Sequence, residues 1–131
     1  MINYILKLIF PERCVFCGNP VKLHSNNEYV CEKCSINIPY YTKTAELNEE
    51  GPVTGISVFA YGSVRDTIRR FKYGGYKNYG HIMGKMMAEY ILDNSVYDIM
   101  TADLMTAVPL WKEKERRRGF NQSDLLAETI S

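Results

Sequence analysis

Two C-x2-C pairs, Cys14-Val-Phe-Cys17 and Cys31-Glu-Lys-Cys34, are separated by thirteen residues in a chain with no other cysteine. Each pair can form a tight knuckle that turns two thiolates toward one point. Four thiolates complete the tetrahedral shell of a structural Zn²⁺ site, with no position left open for catalysis. Gly18, just past the first knuckle, can take the positive φ that such a turn needs. A lobe of about forty residues buries too little apolar surface to fold unaided. Zinc binding supplies about 10–16 kcal/mol of folding free energy to such lobes. The expected ligands are Cys14, Cys17, Cys31 and Cys34; the same set accepts iron in vitro. A thioredoxin-like redox centre would want a single C-x2-C beside a βαβ pattern, which fits this segment less well. His24 and His81 read as solvated residues, since four cysteines already fill the shell.

The rest of the composition narrows the class. The formal net charge of the 131 residues is +1, so no global field draws in a nucleic acid or a membrane, and any polyanion site must be local. No apolar run reaches the roughly 18–20 residues of a membrane span. The opening Met1–Phe10 has Lys7 inside its apolar run, no basic start and no small-residue cleavage site. It reads as a short amphipathic helix and not as a signal peptide. Without an export signal the expected compartment is the cytoplasm, where paired cysteines bind metal more often than they form disulfides.

The expected organisation is a zinc-ribbon lobe over 1–41, a polar linker over 42–55, and an α/β domain over 56–131. Ile56–Tyr61 is rich in β-branched and aromatic residues and reads as a strand. Ser63 with Asp66 resembles a capping box opening a helix to about Lys72, with Val64, Ile68 and Phe71 on its inner face. A longer helix is expected from Tyr79 to Leu92, its methionines recurring at core-packing spacing. Leu104–Leu110 suits a buried parallel strand ended by Pro109. Asn121 reads as the N-cap of a last helix.

Between that strand and that helix lies Trp111-Lys-Glu-Lys-Glu-Arg-Arg-Arg-Gly-Phe-Asn-Gln122. The ligand crevice of an open α/β sheet lies at the carboxyl ends of its strands. Arg116, Arg117 and Arg118 carry guanidinium forks suited to phosphate oxygens. The residues alone leave open a phosphate or pyrophosphate site, a solvated basic loop, and a nucleic-acid contact.

Pro11-Glu-Arg-Cys-Val-Phe-Cys-Gly18, the Cys31/Cys34 pair, Phe71-Lys-Tyr-Gly-Gly75, Val108-Pro-Leu110 and Arg118-Gly-Phe-Asn-Gln122 stand in the order found in the ComF family. The chain resembles that family over nearly its whole length. ComF proteins are bacterial phosphoribosyltransferase-like proteins associated with DNA uptake in natural transformation. The resemblance implies a zinc ribbon followed by the beginning of a type I phosphoribosyltransferase fold. It also implies that the loop from Lys112 to Gln122 helps hold the pyrophosphate of phosphoribosyl pyrophosphate. Arg116, Arg118, Gly119, Asn121 and Gln122 would lie nearest that group, with Mg²⁺ accompanying the ligand in a complete protein. Lys72 and Tyr73, before Gly74-Gly75, match a further family motif without an assigned role.

One departure stands out. The family's acidic pair, followed by small hydroxyl residues and Gly, cradles the ribose 5-phosphate, and it has no counterpart in these 131 residues. The expectation is therefore an incomplete α/β domain, the N-terminal part of a ComF-like protein, which does not catalyse transfer on its own. The alternative is a stand-alone zinc-ribbon module that binds single-stranded DNA or a protein of the uptake machinery. Arg69, Arg70, Lys72, Tyr73, Tyr76, Lys77 and Tyr79 interleave the cations and aromatic rings such binding uses.

Overall fold

The computed structural model describes residues 9–22, 29–46, 54–94 and 102–131, and the chain divides into two compact units, Met1–Pro39 and Tyr40–Ser131. The opening helix expected over 1–10 falls almost wholly outside the described residues, as does His24.

In the first unit the chain doubles back on itself. Val21 N–H donates to Glu12 O at 2.8 Å and Cys14 N–H to Asn19 O at 2.8 Å, with an antiparallel bridge between Arg13 and Pro20. Gly18, at φ 75°, closes the turn and donates to Cys14 O at 2.9 Å. A short helix, α1 (Glu32–Ile36), follows Cys31 as its N-cap residue. Val15 N–H donates to Tyr29 O at 2.9 Å and so ties the two cysteine segments together. Among the described residues of this unit, Cys14, Val15, Val21 and Val30 are the buried apolar ones.

The second unit opens with β1 (Tyr40–Glu46) and β2 (Thr54–Phe59), paired antiparallel from Tyr40↔Phe59 to Glu46↔Thr54 with an irregularity between Tyr40 and Lys43. The polar stretch expected as a linker from residue 42 thus begins inside a strand. Backbone pairing carries β1 where its letters carry no apolar alternation. The Tyr40 ring stacks on Phe59 and Tyr90 with centroids 5.6 and 4.3 Å away.

Three helical segments build the rest of the core. Helix α2 (Tyr61–Tyr73) buries Val64, Thr67 and Phe71. It starts two residues before Ser63, on the Ala60 carbonyl and without a side-chain cap, so the expected capping box is not used. Helix α3 (Asn78–Asp93) buries Tyr79, Gly80, Met83, Gly84 and Met86. The final helix packs on α3 where glycines let it come close. A Cβ on Gly80 would stand 2.8 Å from Phe71 Cζ and 3.1 Å from Leu125 Cβ, and one on Gly84 2.8 Å from Thr129 Cβ. His81, exposed on α3, has Nδ1 3.0 Å from the Thr129 hydroxyl.

Two stretches differ from expectation. Leu104–Leu110 forms no strand; Leu104 and Val108 are 82% and 75% exposed. A buried strand needs neighbours on both sides, and the two strands among the described residues pair with each other. The basic segment is not a loop but a helix, α4 (Lys112–Arg118), followed by α5 (Gln122–Ile130). Among the described residues the chain is a mixed arrangement of helices and one small sheet, and no helix is long and apolar enough to cross a membrane.

Candidate functional site

The two knuckles bring the sulfurs of Cys14, Cys17, Cys31 and Cys34 within 4.8 Å of one another. Cys17 Sγ and Cys31 Sγ lie 3.7 Å apart, far beyond a disulfide length of about 2.05 Å. Four thiolates about 2.3 Å from a tetrahedral zinc stand roughly 3.8 Å from each other, so the donor set fits that ion in both spacing and chemistry. The second knuckle is helical: Cys34 N–H and Ser35 N–H both donate to Cys31 O, at 3.0 and 2.9 Å.

Electrostatics make the cluster discordant without a cation. Burial pushes the Cys14 thiol up, but backbone hydrogen bonds from Cys31, Cys17 and Phe16 outweigh it, and its pKa is lowered to about 7. Burial, reinforced by the sulfurs of Cys31, Cys17 and Cys14, pushes the Cys34 thiol strongly up. Burial and the Cys14 and Cys31 sulfurs also raise Cys17. A divalent cation at the centre reverses the penalty and favours all four thiolates.

The second unit carries a different kind of site. A cavity of about 310 Å³ is lined by Lys72, Tyr73 and Gly75, from the end of α2 and the turn after it, and by Lys114, Arg117 and Arg118 of α4. The α4 residues share one face because they are spaced i, i+3, i+4. Four of the six lining residues are cations and none is a carboxylate.

Arg118 is the most constrained of them. Its Nη1 donates to Gln122 Oε1 at 2.6 Å and its Nη2 to the Tyr73 hydroxyl at 3.2 Å. Its guanidinium carbon also stands 4.9 Å from the Tyr73 ring centroid, within cation–π range.

The other residues expected at this site have distinct places. Arg116 is exposed and does not line the cavity. Gly119 ends α4 at φ 78° and donates to Glu115 O at 2.7 Å. Asn121 caps α5 by accepting from Ser123 N–H at 3.1 Å, and its amide donates to Val108 O at 3.3 Å. Gln122 is buried and donates to Phe120 O at 3.4 Å. Asn121 and Gln122 therefore spend their side chains on holding the turn. The sequence places Lys72 and Tyr73 only in the alternative nucleic-acid patch, with no role beside the basic segment, and does not single out Lys114. Reading 112–118 as a helix would have aligned Lys114 with Arg117 and Arg118.

Residues 5–45 match the family model of the double zinc ribbon domain. Over 129 residues the chain is 29% identical to "Competence protein ComFC" of Bacillus subtilis (strain 168), covering 95% of this chain and 48% of that protein. It is 23% identical over 119 residues to "DNA utilization protein YhgH" of Escherichia coli (strain K12), covering 90% of this chain and 47% of that protein. The same protein of Shigella flexneri aligns over the same shares, also at 23% identity. The chain thus spans about half the length of the curated relatives it matches. No solved structure matches it.

Proposed function

We propose that this chain is a ComF-like protein that serves DNA uptake as the N-terminal part of a phosphoribosyltransferase-like protein, a reading supported by its 29% identity to a competence protein and its match to the double zinc ribbon domain. One structural zinc ion holds the ribbon through Cys14, Cys17, Cys31 and Cys34. The basic helix α4 and the turn after it receive the pyrophosphate group of phosphoribosyl pyrophosphate. The printed names of the relatives, a competence protein and a DNA utilization protein, support the biological role. Within the molecule, the observation that carries the reading is Arg118. It is fixed by Gln122 and Tyr73 at the wall of a cavity whose charged lining residues are all cationic.

The chemistry assigned to these residues is charge stabilisation. Arg118, with Lys114 and Arg117 on the same face of the helix, offsets the negative charge of a bound or departing pyrophosphate. Gly119 leaves the backbone open to close approach, since no heavy atom lies within 4 Å of where its Cβ would stand. Asn121 and Gln122 hold the turn that presents Arg118. Mg²⁺, when bound with the ligand, supplies further neutralisation of the phosphates.

The test is calorimetric titration of the zinc-loaded chain with phosphoribosyl pyrophosphate in the presence of Mg²⁺. Arg118→Ala should weaken binding at least tenfold, equivalent to about 1.4 kcal/mol. Equal affinity in wild type and variant overturns the role of the helix. A second reading, a module that binds single-stranded DNA, draws on the exposed rings of Tyr73 and Tyr76 between Lys72 and Lys77. Its signature is oligonucleotide binding that falls steeply with salt and that phosphoribosyl pyrophosphate does not displace.

A further inference from the structure

We propose that the Lys72-Tyr73 end of α2 forms the second wall of the diphosphate site: Tyr73 is the positioning residue for Arg118, and Lys72 adds a cation from α2 to the cavity lining. This rests on the reading of α4 as a diphosphate-binding helix. It assigns a role to two residues that sit forty or more positions earlier in the chain and in a different helix.

Three observations converge on Tyr73. Its ring is 69% exposed, so core packing does not account for its position. The Arg118 guanidinium lies over that ring at 4.9 Å. The same guanidinium donates to the Tyr73 hydroxyl at 3.2 Å. Stacking and hydrogen bonding from one side chain fix both the plane and the direction of the fork. With Gln122 Oε1 they engage two of the five guanidinium donors and leave others to meet an anion. An arginine held in this way forfeits less rotamer freedom when a ligand arrives.

Lys72 adjoins Tyr73 and lines the same cavity as Lys114 and Arg117, from a different helix. Gly75, at φ 74°, turns the chain away immediately after and is itself part of the lining. A diphosphate carries several negative charges on two phosphorus centres. Cations from two walls can meet both ends of it, whereas one helix face can meet only one side.

Inorganic pyrophosphate is the probe, titrated against the zinc-loaded full chain at several salt concentrations. Tyr73→Leu removes both the stack and the hydroxyl and should weaken binding about tenfold. Tyr73→Phe keeps the ring under the guanidinium and loses only the hydroxyl, and should recover a large part of that loss. Lys72→Gln should weaken binding and flatten its salt dependence, while Lys72→Arg should restore both. Arg118→Ala is run alongside. If Arg118→Ala binds as wild type does, the diphosphate reading itself falls. If Arg118→Ala weakens binding but Tyr73→Leu and Lys72→Gln bind as wild type does, the second wall alone is refuted.

Discussion

An arginine on a solvated surface samples many rotamers; Arg118 is held by a ring beneath it and a buried amide beside it. Its neighbour Gly119 makes that possible by ending α4 in the left-handed region at φ 78°. Because no heavy atom lies within 4 Å of the Cβ position, Gly119→Ala tests the backbone alone. It should lower stability by about 1–2 kcal/mol, read from urea unfolding at constant m-value. No loss would mean the helix end relaxes to another conformation without penalty.

At the cysteines the same scale gives a pH argument for the metal-free chain. The lowered pKa of Cys14 contributes stability present above its ordinary value of 9.0 and lost as pH falls through about 7. The raised pKa of Cys34 contributes in the opposite sense, present below 9.0 and lost as pH climbs. No single pH suits both, and a bound cation removes the conflict.

At the scale of elements, hydrophobic spacing decided what could be read from the letters. Helices α2 and α3 bury residues such as Val64, Phe71, Met83 and Met86 at helical intervals, and those were legible. So were the two cysteine knuckles, whose spacing is itself the signal. Helix α4 was missed because Lys-Glu-Lys-Glu-Arg-Arg-Arg has no apolar period. Its signals were electrostatic: Glu113 and Glu115 in the first turn, three arginines in the last, and a glycine beyond. Strand β1 was missed because backbone pairing with β2 holds polar letters that show no alternation. Leu104–Leu110 was over-read, since an apolar run becomes a buried strand only when neighbours pair with it.

The helix packing that positions the cavity is itself testable. Gly80 lies against both Phe71 and Leu125, and Phe71 in turn packs on Phe120 with centroids 5.6 Å apart. Gly80→Val inserts a branched side chain where even a Cβ is too close. Overpacking of about 1–3 kcal/mol outweighs the few tenths that valine gains over glycine in helix propensity. The variant should therefore melt at lower temperature, and a melting temperature at or above wild type would refute the close approach.

At the scale of the whole molecule, the two units depend on different chemistry. Tyr40–Ser131 builds a core from a small sheet and packed helices, whereas Met1–Pro39 has four buried apolar residues among those described and a cluster of four thiols. The first unit is where the metal matters most, because its described residues bury few apolar side chains around the four thiols. The most direct measurement is the zinc content of the purified protein by elemental analysis, compared with Cys14→Ser and Cys31→Ser. One zinc per chain in the wild type, lost in either variant together with protease resistance of residues 1–39, is the expected result. A wild-type chain folded without metal, or variants that keep both zinc and folding, would refute the four-thiolate centre.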